Sequence, residues 1–139
     1  MQKVKSSVKK AVLCAGMLLL TLILCIGFSG CAVNVSGKTF VYEKYEVKYD
    51  DSVSEDAQKL YEATLVAAKK VWELNKFTFG EDGKVTGTAL GSYTQDGSKL
   101  TVSMGDTVLR EFTVSGKKLK ENVSAPDGIT VTVIYCIQE

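Results

Sequence analysis

Histidine is absent from this sequence, and arginine, tryptophan and proline occur once each, as Arg110, Trp72 and Pro126. Without an imidazole there is no Ser–His or Cys–His pair to activate a side-chain nucleophile. The same absence, with a single cysteine beyond position 31, removes the ligand sets that zinc prefers. Cys14, Cys25 and Cys31 crowd the start of the chain and leave Cys136 alone in the remainder. An intrachain disulfide is excluded once that start is removed or modified. Acidic residues are missing from the first 40 positions, and all 16 lie beyond them.

What is present is organised by position. Residues 1–10 carry Lys3, Lys5, Lys9 and Lys10, and residues 11–28, AVLCAGMLLLTLILCIGF, carry no charge. A basic start, an apolar run and small residues before a cleavage point make a secretory leader. The run of 18 residues also reaches the lower limit for a membrane-spanning helix, so an uncleaved anchor competes with that reading. The flanking lysines keep the N-terminus cytoplasmic in both cases, and the rest of the chain lies outside. The end of the run separates the two. Phe28-Ser29-Gly30-Cys31 resembles the lipobox of bacterial lipoproteins, with Phe28 where an aliphatic residue is usual. The resemblance implies cleavage after Gly30 and a diacylglyceryl group on the Cys31 thiol. Two acyl chains anchor a protein stably, whereas one binds marginally. The chain then divides into a leader, 1–30, that is removed, a short lipidated tether, 31–37, and a domain, 38–139, on the extracytoplasmic face of a bacterial membrane. Loss of the leader's four lysines takes the formal charge from +1 to −3, 13 basic residues against 16 acidic. Nucleic-acid binding loses its electrostatic support.

Beyond the tether the text is mainly β. Residues 38–49 alternate, with Val41, Glu43, Tyr45, Val47 and Tyr49 on one face and Tyr42, Lys44, Glu46 and Lys48 on the other. Residues 54–74 read as the one helix. Ser52 or Ser54 caps it, Ser52 and Glu55 have capping-box spacing, and an apolar stripe runs through Ala57, Leu60, Tyr61, Thr64, Ala68, Val71 and Trp72. Short alternating runs follow at 76–79, 84–94, 98–104, 107–114, 117–123 and 129–137. Turns such as Asp82-Gly83, Asp96-Gly97 and Asp127-Gly128 separate them. Their inner faces read Phe77/Phe79, Val85/Gly87/Ala89/Gly91/Tyr93, Leu100/Val102/Met104, Val108/Phe112/Val114, Leu119/Val123 and Ile129/Val131/Val133/Tyr135/Ile137. This is an antiparallel meander of about seven strands, a curled sheet or small barrel, with one amphipathic helix after the first strand. The small residues at 87, 89 and 91 allow sharp curvature.

The opening Gly37-Lys38-Thr39, the single helix and the segments FTFGEDGKVTG and GSYTQDGSKLTVS resemble the small lipocalin-like domains of bacterial lipoproteins. The resemblance implies a barrel-like fold and transfers no activity or functional residue.

Candidate functional residues are few. Arg110 alternates onto the apolar face, and Glu43 occupies an inward position between Val41 and Tyr45. An inward arginine can pair with an inward acid or bind an anionic ligand, or it can snorkel from a strand end. Trp72, with Tyr61, lies on the helix stripe and reads as core or pocket lining. Asp50, Asp51, Glu55 and Asp56 cluster where a helix N-terminus favours acids and depart from a calcium-loop spacing. Lys117, Lys118 and Lys120 read as a solvated strand edge that discourages edge pairing, or as a contact for anionic headgroups. Cys136, on the side of Thr130, Thr132 and Ile134, reads as a small buried hydrophobe or a reactive thiol. No cofactor or metal is expected. The expected function is that of a monomeric, non-catalytic envelope lipoprotein with Cys31 as its anchor. One form binds a small apolar or amphipathic ligand with Arg110, Glu43 and Trp72; the other docks to an envelope protein or cell-wall partner.

Overall fold

Strand follows strand with one helical interruption. A computed structural model describes residues 32–139; the leader, Gly30 and Cys31 lie outside the described residues. The order is β1 (Lys38–Tyr49), α1 (Glu55–Trp72), β2 (Lys76–Phe79), β3 (Lys84–Gly87), β4 (Gly91–Asp96), β5 (Lys99–Met104), β6 (Thr107–Ser115), β7 (Lys118–Val123) and β8 (Ile129–Ile137). Each strand pairs antiparallel with the next, and β8 returns to β1 to close a barrel. Closure leaves no open edge, the most complete answer to edge pairing. Lys118 and Lys120 therefore sit on a strand bonded on both sides, and the reading of this lysine run as a strand edge is corrected.

The barrel has eight strands rather than about seven because residues 84–94 do not run straight through. They divide into β3 and β4 at Gly87 (φ 103°) and Gly91 (φ 147°), conformations that side chains rarely adopt. A Cβ on Gly87 would also strike the Lys76 carbonyl, and one on Gly91 the Ser103 carbonyl. The small residues permit a strand break and two close backbone approaches.

Bulges redirect two faces. The register of β1 against β8 shifts between Tyr42 and Lys44, so Phe40 and Tyr42 face the core before the shift and Tyr45 and Val47 after it, each opposite a core-side residue of β8. Glu43, the extra residue, leaves the inner face. A second shift between Val102 and Ser103 on β5 inserts Leu109 on β6. Arg110, Phe112 and Val114 stay on the core side, whereas Val108 is half in solvent. One extra residue reverses every later side chain, so the expected inward placement of Val41, Glu43 and Val108 is corrected.

Aromatic rings fill the interior. Phe40, Phe77, Phe79 and Tyr135 are fully buried. Phe77 meets Phe112 at 5.2 Å and Tyr135 at 5.1 Å, edge to face, and Phe79 meets Tyr93 at 5.1 Å. Such pairs add about 0.5–1.5 kcal/mol beyond the area they bury.

One end of the barrel is plugged by the incoming chain. Val35 is fully buried, its N–H donates to Gln95 Oε1 at 3.0 Å, and Gln95 Nε2 donates to the Val33 carbonyl at 2.7 Å. The Val33 N–H reaches the Gly116 carbonyl at 3.3 Å and the Gly37 N–H the Phe79 carbonyl at 2.7 Å. Ala32 and Val33 also pack against the core, ahead of β1.

α1 connects the opposite end of β1 to β2. Its cap is Ser54, whose hydroxyl accepts from the Ala57 N–H at 3.2 Å. Ser52 instead bonds Asp50, so the expected Ser52–Glu55 capping box does not form. Leu65 is the buried residue of the helix, flanked by half-buried Tyr61, Ala68 and Trp72. Leu60 and Val71, expected in the buried stripe, are 73% and 63% exposed. The helix carries two apolar stripes, and only one meets the barrel. Among the described residues no helix is long and apolar enough to cross a membrane.

Candidate functional site

The chain's one arginine points into the barrel, and its partner is not the acid expected. Arg110 stays on the core side of β6 because the bulge lies before it. On β7, Leu119 and Val123 face inward, and Glu121 sits midway between them on the same face, opposite Val133. Arg110 Nη1 lies 3.6 Å from Glu121 Oε2, and the guanidinium stacks over the Phe77 ring at 5.1 Å from its centroid.

Two further groups complete a polar row. Tyr135 donates its hydroxyl to Glu121 Oε2 at 3.3 Å and accepts from Asn75 Nδ2 at 3.0 Å. Asn75, in the short link between α1 and β2, is the buried polar residue among the described ones. Each member answers a cost, because a buried polar group without a partner is expensive. Arg110 Nη1 itself lacks a hydrogen bond, being held by charge and by the Phe77 face.

Burial dominates the protonation of this row. It raises the Glu121 carboxyl above its ordinary value, against the opposing pull of Arg110 and the Tyr135 hydrogen bond. The Tyr135 phenol is pushed up to about 12, again chiefly by burial, so it remains a hydrogen-bond donor at neutral pH. Chemically the row is a paired, partly screened charge within an aromatic wall. Glu121 offsets the charge that would attract an anion to Arg110.

The other expected site residues go elsewhere. Glu43 lies on the outer face and accepts from Lys118 Nζ at 3.0 Å, so the expected Arg110–Glu43 pair is corrected to Arg110–Glu121. Trp72 packs on Tyr45, with ring centroids 5.4 Å apart. Arg110, Glu43 and Trp72 do not converge on one pocket. Cys136 is a half-buried free thiol on the outer row, opposite Val41 and Lys118. Asp50 accepts from Ser52, bonds that hold its carboxyl below the usual range. Among the described residues no three His, Cys, Asp or Glu side chains gather to hold a metal.

Sequence reasoning missed Glu121, Tyr135 as a hydrogen-bonding group, and Asn75. The signal for Glu121 was present: alternation from Leu119 to Val123 puts residue 121 inside. Nothing local marks Asn75, whose burial depends on where the helix comes to rest.

Concave surfaces occur outside the barrel. A groove of about 470 Å³ runs between the first half of α1 and the β7–β8 turn, lined by Val53, Ala57, Leu60, Tyr61, Pro126 and Ile129 among others. A broader hollow of about 720 Å³ lies on the outer strand faces between Lys48, Lys99, Glu111, Lys120 and Asn122. Comparisons with protein-family models, curated proteins and solved structures find no match.

Proposed function

We propose that this chain is a non-catalytic envelope lipoprotein, anchored by lipid on Cys31, whose barrel serves as a rigid docking module rather than a container. One observation carries the reading: the barrel interior is occupied by its own rings, while apolar surface is left outside on α1 and the turn after it. Phe77, Phe112 and Tyr135 touch one another across the space a ligand would need, and Leu60, Val71 and Leu74 stand in solvent. An exposed apolar patch beside a groove marks an interaction site more often than a monomer's resting surface. The plug at Ala32–Val35 supports the anchoring half. A lipid on the preceding residue would hold that end of the barrel at the membrane surface and leave the start of α1 at the far end.

The competing reading, a small amphipathic ligand held at Arg110, rests on one feature. The guanidinium has a nitrogen without a hydrogen bond, and the side chain is 30% exposed. Native mass spectrometry of the full protein, extracted from its own host's membranes in detergent, separates the two. The expected spectrum shows a lipidated N-terminus at Cys31 and no stoichiometric small molecule. An adduct that persists and is lost in Arg110→Gln would overturn the docking reading. An N-terminus that still carries Met1 would overturn the anchoring.

A further inference from the structure

We propose that the groove between the start of α1 and the β7–β8 turn takes a basic, apolar segment of another envelope protein, with lysines or arginines of that segment against Asp50, Asp56 and Asp127. This inference rests on the docking reading and names the chemistry of its partner.

The floor of the groove is apolar. Val53, Ala57, Leu60, Tyr61, Pro126 and Ile129 line its volume of about 470 Å³, within the usual range for a site that takes a ligand. The hydroxyls at its edge are already engaged: Ser52 by Asp50, Ser54 by the Ala57 N–H and Thr64 by the Tyr61 carbonyl. The floor therefore offers apolar contact rather than hydrogen bonds. Beyond Leu60 the exposed side chains of Ala67, Val71 and Leu74 continue on the same side, at helical spacing, and extend the track along α1 and into the turn after it.

The charges that face the groove are all acidic. Asp127 is part of its wall. The Asp50 N–H donates to the Gly128 carbonyl at 2.8 Å, and a Cβ on Gly128 would strike the Asp50 carboxylate at 2.8 Å. Asp56 stands one turn before Leu60 on the same side of the helix. Among the described residues no lysine or arginine lines the groove, and none occurs from Asp50 to Gln58 or from Glu121 to Glu139. Glu55, Lys59 and Glu62 leave the opposite side of α1 from Ala57 and Thr64 and do not face the groove. Lys69 and Lys70 stand in the last turn of the helix.

Floor and rim together select the occupant. The rim repels an anionic membrane surface and nucleic acid. A two-fold axis that placed a second copy groove to groove would set acid against acid. A segment with apolar anchors flanked by lysine or arginine satisfies both parts. Its anchors fill the groove, as in other helix-and-groove recognition, and the rim charges speed encounter and fix orientation. The groove lies at the end of the barrel away from the plug, so the anchored protein presents it outward.

The test uses the full chain in its own host, with Cys136→Ser as background. Leu60→Cys is labelled with a benzophenone maleimide and illuminated, and the segment joined to it is sequenced by mass spectrometry. Val66→Cys, equally apolar and 61% exposed but on the side of α1 away from the groove, is the control. The support lies in the chemistry of the captured segment: an excess of lysine and arginine over acids beside large apolar residues. The yield should fall about three- to tenfold in Asp56→Asn/Asp127→Asn, the scale of two exposed ion pairs. It should fall likewise as salt rises from about 0.1 M to about 1 M, where the screening length shrinks from about 10 Å to about 3 Å. Capture of an acidic or neutral segment, capture of this same chain, or a yield indifferent to salt and to the two substitutions would overturn the proposal and leave the docking reading with a different partner. A yield from Leu60→Cys no higher than from Val66→Cys, in protein whose barrel resists proteolysis as the parent does, would overturn both.

Discussion

Two apolar surfaces of the molecule contrast, one covered and one not. Inside the barrel, Phe77, Phe79, Leu100 and Leu119 are fully buried. On the outer side of α1 and the turn that follows it, Leu60, Val71 and Leu74 are mostly exposed. The contrast is sharpest at two consecutive residues, where Leu74 is 81% exposed and Asn75 is 7% exposed. An amide is spent inside, satisfied by the Tyr135 hydroxyl, while the leucine beside it stays in solvent. Folding of this chain alone therefore accounts for the first surface and leaves the second without a structural purpose. Apolar surface that contributes nothing to the monomer points to an encounter outside it.

The comparison breaks most visibly under truncation of the covered surface. Phe77 touches Phe112, Tyr135 and the Arg110 guanidinium, so Phe77→Ala should cost about 3–5 kcal/mol of folding stability. Urea unfolding followed by Trp72 fluorescence measures it. A loss near zero would mean that the interior is looser than its ring contacts indicate, which would reopen the barrel as a container.

A smaller effect is expected from the polar row that lines the covered side. Tyr135→Phe keeps the ring and removes the hydroxyl, leaving Asn75 Nδ2 without its acceptor and Glu121 without a donor. A cost of about 1–3 kcal/mol follows from the orphaned amide. The double variant Tyr135→Phe/Asn75→Leu should recover part of it, because no amide then remains to be desolvated. Additive losses would place Asn75 outside the network.

Much of this arrangement is legible in the sequence. Alternation in 38–49 and 129–137, and Asp-Gly turns between short runs, are enough for a β meander with one helix. They leave closure undecided, because closure depends on β8 meeting β1 across the whole chain. Bulges defeat the alternation: a single extra residue, Glu43 or Leu109, is invisible in composition yet moves Glu43 out of the barrel and turns Val108 to solvent. Glu121 was readable from its position between Leu119 and Val123. The second stripe of α1 was present as well, but Leu60 and Val71 merge in a linear reading with Tyr61 and Trp72. Which of two adjacent stripes is buried is settled by tertiary packing alone.

Protonation separates covered from uncovered groups in a second way. Burial raises the Glu121 carboxyl in the folded chain, so the native state holds its proton at pH values where the unfolded chain has released it. Stability from this group is therefore fully present below its ordinary value of 4.5 and declines as pH rises through its elevated native value. Asp50, exposed and lowered by its Ser52 bonds, has the opposite sign, and its contribution is lost as pH falls below 3.8. Glu121→Gln should flatten the decline above pH 4.5 and leave the acid limb unchanged. Denaturant midpoints measured from pH 3 to 7 decide it, and an altered acid limb would assign the effect to another carboxylate.

The smallest stability effect belongs to the uncovered surface, and its smallness is the informative result. Leu74→Ser changes a residue that the folded monomer hardly buries, so the unfolding midpoint of the purified protein should shift within about 0.5 kcal/mol of zero. Set beside the loss expected for Phe77→Ala, two apolar truncations in one small domain would differ several-fold in cost because one surface is covered and the other is not. If the same substitution, silent in the purified protein, lowers thermal stability in lysate of the host, where a partner is present, then Leu74 is buried by association rather than by folding. Equal sensitivity in both settings would mean that the helix packs on its own barrel more closely than its exposure indicates, and the second surface would lose its claim to a partner.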